Sequence, residues 1–304
     1  MKSYTKIFFV CAIILFFVSM VIAFDWPQSV AGTSEINKSF GELQGDIFNT
    51  SLIFSKAEDV QSTEAGQLMA ILGQSSREMG WAPTTLGNAV ILAHENNLLT
   101  VYGNLQDIDV DANASFIAKN SVLGTGGNSA WQQGYAGLHF QAIDTEKDMI
   151  INPRILLPQI PEEKMISITH ITAVNKQGEV FDLYNNMTLP ATTYSFYRAI
   201  EQNTGSPYIT SVAINGAEVE AITYDILVHK RNVLTVDGKN FYAASEIYPE
   251  KDRQFLTTVS LSPGKNTFTL RVKDINGKET TLTYTIYARE IAKNNKSNVL
   301  KKLP

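Results

Sequence analysis

Histidine and cysteine are the side chains that most often bind metals or move protons at neutral pH. This chain of 304 residues has four histidines and one cysteine. A catalytic zinc needs three protein ligands, commonly two histidines and a carboxylate, and one position left open for water. His94 and His139 lie in the first half of the chain, and His170 and His229 lie in the second. The single cysteine, Cys11, excludes both a disulfide framework and a cysteine-rich zinc site.

Three segments around the first two histidines follow a recognisable order. They are Leu86–Val110 (LGNAVILAHENNLLTVYGNLQDIDV), Val122–Asp144 (VLGTGGNSAWQQGYAGLHFQAID) and Ile151–Pro158 (INPRILLP). Their shared features are an apolar strand entering a His-centred turn, a T-x-Y-x-x-L strand, a glycine-rich turn series, L-H-F and N-P. Together they resemble the lysostaphin-type (LytM-like) zinc endopeptidases, which cut peptide cross-links in peptidoglycan. The resemblance spans roughly Phe40–Leu157.

The resemblance implies a metal site against which each position of this sequence can be compared. Family members bind zinc through a His-x-x-x-Asp strand and the last histidine of a His-x-His pair. The first histidine of that pair and one in a Tyr-x-His-Leu segment act in catalysis. The best register places Ile47 and Ser51 where the His-x-x-x-Asp strand has its two ligands. Asn104 replaces the histidine of the Tyr-x-His-Leu segment, and Gly137 replaces the first histidine of the His-x-His pair. Only His139 remains of the three ligands.

One imidazole does not hold zinc usefully without partners, so we expect no zinc cofactor. An amide such as Asn104 does not titrate near pH 7 and is no general base. Zinc is expected only if the site is rebuilt from His94, His139 and Asp46. Glu42 and Asp59 are alternative oxygen donors close in sequence to the missing ligands.

A retained groove would bind its ligand without cutting it. Exposed aromatic side chains beside such a groove could stack on sugar or peptide, whereas loop packing is the alternative interpretation. His170 and His229 are interpreted as ordinary sandwich residues. The candidate groove and binding residues are Tyr102, Asn104, His139, His94, Trp81 and Trp131.

Composition places the chain among ordinary globular proteins. It is 44% hydrophobic and 18% charged, which excludes disorder and a coiled coil. With 25 Lys and Arg against 30 Asp and Glu, the formal net charge is −5. A mildly acidic chain offers no electrostatic basis for nucleic-acid binding.

The N-terminus predicts export. Lys2 and Lys6 precede the apolar run Ile7–Ala23, and this pattern is typical of a secretory signal peptide over residues 1–23, cleaved after Ala23. The alternative is an uncleaved membrane anchor, which would be the chain's only contact with a membrane. We therefore expect a bacterial protein of the periplasm or cell envelope.

The remaining pattern predicts an all-β fold. After a lead-in at 24–39, residues 40–158 contain short β-prone runs, and the resemblance implies a LytM-like antiparallel β domain of the duplicated-hybrid-motif type. Within it, the glycines of Leu123–Gly137 predict turns. Prolines predict a linker at 159–164.

The second half carries the stronger hairpin signals. Asn215-Gly216 and Asn276-Gly277 each lie between β-prone runs, which is the strongest short-range signal for a hairpin. The number of short strands over 165–288 predicts an immunoglobulin-like β-sandwich. Residues 289–304 are interpreted as a basic tail.

These observations lead to three functional hypotheses. The first is a catalytically inactive pseudopeptidase of the envelope that binds peptidoglycan or regulates a cell-wall hydrolase. The second is a structural or adhesion module of the envelope. The third is an active zinc endopeptidase with a rebuilt site. Fold resemblance by itself does not decide among them.

Overall fold

The computed structural model describes residues 24–30, 32, 35–73, 84–130, 136–160, 163–201 and 204–290. The predicted signal peptide, Trp81, Trp131 and nearly all of the predicted basic tail lie outside these residues. Within them the chain is nearly all β, as the sequence predicts. None of the described helices has the length and apolar character needed to cross a membrane.

Short strands form the first half. They are β1 (Ile36–Lys38), β2 (Leu43–Gln44), β3 (Ile47–Phe48), β4 (Leu52–Phe54), β5 (Asp59–Gln61), β6 (Gly66–Leu72), β7 (Asn88–Ala93), β8 (Leu98–Ile108), β9 (Phe116–Ile117), β10 (Val122–Gly126), β11 (His139–Asp144) and β12 (Met149–Ile151).

Longer strands and one helical turn form the second half. They are β13 (Ile171–Asn175), β14 (Val180–Asp182), β15 (Met187–Pro190), β16 (Thr193–Ala199), β17 (Ile209–Ile214), β18 (Ala217–Lys230), β19 (Val233–Asp237), β20 (Tyr242–Ala243), α1 (Ala244–Ile247), β21 (Arg253–Ser260), β22 (Gly264–Lys273) and β23 (Glu279–Arg289).

Strand β8 is the centre of the first half. It pairs antiparallel with β7, β10 and β11, and β11 also pairs with β4. Alternating side chains of these strands face one core that contains Leu92, Tyr102 and Phe140. This arrangement places the start of β11 between β4 and β8, where the candidate site lies.

Strand β10 corrects one expectation. Val122–Gly126 is a strand, although the glycines of this segment predict turns. A Cβ atom at Gly124 would lie 2.2 Å from the carbonyl oxygen of Asp107 on β8. Glycine is therefore needed because two strand backbones approach closely, not because the chain turns there.

The second half is a sandwich of two sheets. One sheet has the order β14-β13-β16-β21, and the other contains β15, β23, β22, β17 and β18 in that order of pairing. Their inner faces share a core in which the rings of Phe196 and Phe268 stack at 4.8 Å. The immunoglobulin-like assignment of this sandwich stays a prediction.

The predicted hairpin at Asn215-Gly216 is confirmed. Strands β17 and β18 pair around it, with Ile214 opposite Ala217. Asn215 and Gly216 have φ angles of 53° and 83°, both in the left-handed region. This is the turn geometry that an Asn-Gly pair supplies at low conformational cost.

The two halves are joined by backbone pairing and by a shared apolar cluster. Strand β12 pairs antiparallel with β18, so the strands of both halves form one continuous ladder. Phe40 and Phe48 of the first half pack with Ile222, Tyr224 and Leu227 of the second. Burial of these side chains couples the stability of the halves.

Phe48→Ala tests this coupling. Removing a fully buried ring should lower the free energy of unfolding by about 3–5 kcal/mol. Because the ring contacts both halves, we expect one denaturant transition that moves as a whole, followed by circular dichroism. Phe241→Ala is the control, since Phe241 is half exposed and should change stability by less than about 0.5 kcal/mol. A shift confined to one of two separate transitions would contradict the coupling.

Candidate functional site

His139 occupies the first position of β11, between two partner strands. It lies opposite Ile53 of β4 on one side and Gly103 of β8 on the other. Side chains at directly opposed positions have Cβ atoms about 4.5–5.5 Å apart. Any group that shared a metal with His139 would come from these two neighbourhoods.

Strand β4 presents a different residue to His139 from the one that the sequence register predicts. Ile53, not Ser51, lies opposite His139, and its aliphatic side chain is fully buried. Ile47 is 62% exposed and pairs with Gln44 in the β2–β3 hairpin. The Ser51 hydroxyl donates to the side-chain oxygen of Asn49 at 2.9 Å. The residues expected at the ligand positions therefore do not lie opposite His139, whereas Ile53 does.

Asn104 fills the β8 side and is a structural residue. Its φ of 63° is left-handed, a conformation that asparagine tolerates better than most residues. The amide nitrogen donates to the carbonyl oxygens of Gly127 at 2.9 Å and Gly137 at 2.7 Å. The amide oxygen accepts from the backbone N–H of Ala130 at 2.8 Å. One fully buried side chain therefore joins β8 to both ends of the glycine-rich segment.

The amide of Asn104 also lies close to the imidazole of His139. Its nitrogen is 3.4 Å from His139 Nε2, and the His139 side chain is only 5% exposed. The structure thus brings these two predicted site residues together. It buries them both, so neither offers the accessible groove contact expected from the sequence.

Gly137 has no space for a side chain. Its φ is 98°, and a Cβ atom would lie 2.1 Å from the carbonyl oxygen of Phe54. Real Cβ atoms do not approach an oxygen so closely. A histidine at this position would require the backbone of the segment or of β4 to move.

The groups around His139 do not fit a catalytic zinc. Ile53 has no donor atom, Gly137 has no side chain, and the Asn104 nitrogen carries hydrogens that are directed at carbonyl oxygens. Zinc ligands are imidazole nitrogens, thiolates and carboxylates. In the part of the chain that the structure describes, no three His, Cys, Asp or Glu side chains are grouped for metal binding.

The rebuilt site that the sequence allowed is not formed. His94 lies beyond the other end of the β7–β8 pairing, where its Nδ1 donates to the Ala65 carbonyl at 2.9 Å and its Nε2 is 2.7 Å from Thr100 Oγ1. Asp46 lies in the turn between β2 and β3. These side chains do not converge with His139.

The two other oxygen donors considered from the sequence are also placed elsewhere. Glu42 accepts a hydrogen bond from the Ser206 hydroxyl of the second half. Asp59 lies on β5, opposite Thr125 of β10. Neither carboxylate belongs to the neighbourhood of His139.

Tyr102 is part of a buried polar network that the sequence did not predict. Its hydroxyl accepts from the backbone N–H of Thr63 at 2.9 Å and lies 3.3 Å from Thr100 Oγ1, which links it to His94. The Tyr102 side chain is fully buried, so it does not line a groove floor. Burial raises the pKa of Tyr102 and lowers that of His94, which favours the neutral form of each.

The histidines of the second half have ordinary surroundings. His170 Nε2 lies 2.9 Å from an oxygen of Asp182 at the exposed surface. His229 is exposed on β18, opposite Leu234. Trp81 and Trp131, expected beside the groove, lie outside the described residues.

Comparison with known proteins identifies the first half. Residues 51–153 match the model of Peptidase family M23. A second family model, which carries no description, matches residues 165–289. An uncharacterized protein of Treponema pallidum (strain Nichols) is 32% identical over 120 residues, which are 36% of this chain and 79% of that protein.

Three solved structures were compared by their fold. The catalytic domain of the prophage-encoded M23 protein EnpA from Enterococcus faecalis is 18% identical, with 39% of this chain and 87% of that chain covered and a TM-score of 0.32. A chain of the SpoIIQ–SpoIIIAH pore forming complex is 19% identical, with 46% of this chain and 94% of that chain covered and a TM-score of 0.35. The antimicrobial peptidase lysostaphin from Staphylococcus simulans is 12% identical, with 85% of this chain and 99% of that chain covered and a TM-score of 0.32.

Asn104→Asp tests the structural role of the amide. A carboxylate does not donate to the Gly127 and Gly137 carbonyls. The Gly137 carbonyl then loses this donor, the Gly127 carbonyl keeps only the backbone N–H of Gly137 at 2.8 Å, and a charge is buried beside them. We expect the free energy of unfolding to fall by about 3–5 kcal/mol in urea titrations. Asn120→Asp is the matched control, because Asn120 is exposed and has a similar φ of 61°. Equal effects of both substitutions would contradict the role assigned to Asn104.

Proposed function

Residues 51–153 of this chain form a domain of peptidase family M23, and we propose that this domain is a pseudopeptidase that acts by binding rather than by hydrolysis. One observation carries the proposal. His139 is surrounded by an aliphatic side chain at Ile53, a hydrogen-bonded amide at Asn104 and a closely packed glycine at Gly137. None of these three supplies a zinc ligand or a general base.

The proposed place of action is the bacterial cell envelope. The basic residues and apolar run before Phe24 predict export, and the resemblance to peptidoglycan endopeptidases suggests the ligand. We therefore propose peptidoglycan, or a hydrolase that acts on it, as the binding partner. The immunoglobulin-like sandwich that we assign to the second half would present or space this domain, since the two halves are rigidly paired through β12 and β18.

The burial of the former site restricts how binding occurs. Asn104 and Tyr102 are fully buried and His139 is only 5% exposed, so their side chains offer a ligand little surface on this face of the domain. Binding would use exposed faces of the domain instead. A ligand or hydrolase would therefore not need the remnant histidine.

Zinc binding by the full chain, purified in mild detergent, tests the loss of the metal site. We expect metal analysis to find no stoichiometric zinc, because Ile53, Asn104 and Gly137 supply no zinc ligand beside His139 and the described residues contain no group of three His, Cys, Asp or Glu side chains. Zinc titration calorimetry should give the same result for the wild type, His139→Ala and the exposed control His229→Ala. One tightly bound zinc that is lost in His139→Ala and kept in His229→Ala would overturn the proposal and favour an active endopeptidase.

Co-sedimentation with purified bacterial sacculi tests the binding role. We expect the full chain to pellet with sacculi in EDTA, or to raise the activity of a cell-wall amidase added to them. His139→Ala should behave as the wild type does, because this side chain is buried. Absence of both effects would contradict the proposal and leave the structural envelope module as the better hypothesis.

A further inference from the structure

Two polar side chains occupy positions of the second core where the strand pattern requires apolar ones. Along β16, Tyr194, Phe196 and Arg198 are the buried, inward-facing residues. Arg198 lies directly opposite Gln254 on β21. Arg198 is 5% exposed and Gln254 is fully buried. A charged residue in this position needs a physical reason, because burying it unpaired costs several kcal/mol.

Hydrogen bonds connect this pair to the first half of the chain. Arg198 Nε donates to Gln254 Oε1, and Gln254 Nε2 donates to the Tyr224 hydroxyl. The hydroxyl of Tyr224 interacts with that of Tyr248, which donates to the Gly41 carbonyl at 2.9 Å. The polar cluster therefore sits at the junction of the two halves.

In the part of the chain that the structure describes, no carboxylate contacts the guanidinium of Arg198 directly. Within the described residues it takes part in no ion pair, and Glu201 is the only carboxylate whose charge acts on it. A guanidinium has five N–H donors, and the structure gives this one a single acceptor among the same residues, Gln254 Oε1. Burial lowers the pKa of Arg198 from its ordinary value, because desolvation disfavours the charged form.

Arg198 lines a cleft of about 610 Å³ between the halves. This volume lies within the range of about 300–1,000 Å³ that is usual for small-molecule sites. Hydroxyl and amide groups of both halves line it as well, among them Ser39, Asn152, Ser206, Tyr208 and Tyr248.

The acidic side chains of the cleft already have donors. Glu42 accepts from Ser206, Glu163 pairs with Arg154, Glu201 accepts from Thr169 and Asp274 accepts from the Lys278 N–H. Lys38, Lys164 and Lys251 add positive charge to the lining. Among the described residues none of these carboxylates pairs with Arg198, so its guanidinium is the group of the cleft that an anionic ligand would engage.

We propose that this cleft binds a carboxylate-bearing ligand of about dipeptide to tripeptide size, with the guanidinium of Arg198 holding the carboxylate. The planar fork of arginine matches a carboxylate with two parallel hydrogen bonds. The cleft is larger than a lone acetate requires, and its hydroxyl and amide lining suits peptide groups. The proposal is independent of the zinc site, since none of its residues contacts His139.

Calorimetry on the full chain in mild detergent tests the proposal with matched ligands. The probes are tri-alanine, tri-alanine amide, succinate and inorganic phosphate. We expect tri-alanine to bind and its amide to bind at least about tenfold more weakly, because the amide has no charge for Arg198. Binding of succinate alone would support the carboxylate site and assign it to an organic acid. Three results would overturn the proposal. They are binding of phosphate alone, equal affinity for tri-alanine and its amide, and no binding of any probe at 10 mM.

Two substitutions locate the carboxylate. Arg198→Lys keeps the charge and removes the fork, so affinity should fall about tenfold, and Arg198→Gln should weaken it about a hundredfold. The control is Arg271→Gln on β22, because Arg271 is half exposed and is not one of the residues that line the cleft. If Arg198→Gln does not fold, Arg198→Lys decides the test. Unchanged affinity in Arg198→Lys would contradict the assignment.

Discussion

The side-chain amide of Asn104 is the interaction on which the arrangement of the first half depends. It lies on the central strand and holds backbone groups at Gly127, Ala130 and Gly137 in fixed positions. Those positions determine where β11 begins and hence where His139 lies. The amide of Asn104 thus has a structural role, and the same hydrogen bonds that order the segment occupy its donors and its acceptor.

The junction of the halves combines apolar and polar interactions with different consequences. The Phe40 and Phe48 rings and the β12–β18 ladder supply burial and backbone hydrogen bonds, which hold the halves together. The neighbouring cluster of Arg198, Gln254 and Tyr224 carries an uncompensated charge and contributes less to stability. A polar cluster that costs stability at a rigid junction is the kind of feature that binding sites retain.

The sequence predicted the local features well because their causes are local. Asn215-Gly216 specifies its own turn geometry, and the β-prone apolar runs coincide with β6 to β8 and β11. The register of β4 was wrong by two residues for a physical reason. A shift of two keeps every side chain on the same face of the sheet, so the hydrophobic pattern does not distinguish Ser51 from Ile53.

Other errors had tertiary causes. Gly124 lies in a strand because of its distance to the Asp107 carbonyl, which no local pattern records. Tyr102 was expected in a groove, but its hydroxyl finds partners at Thr63 and Thr100 inside the core. Arg198 carried a usable signal, since the alternation of β16 turns it inward, and a charge on the inward face of a strand marks an unusual site.

The contact between Gly137 and the Phe54 carbonyl has a consequence for the history of such a domain. An active-site residue that has been lost can return by substitution at its own position only while the structure has space for its side chain. Here the backbone of β4 occupies the volume that a Cβ atom would fill, and Gly137 has a φ that strains any L side chain. Under the proposed function, a histidine could return to this position only after the neighbouring strand had rearranged, so no single substitution at Gly137 would restore it.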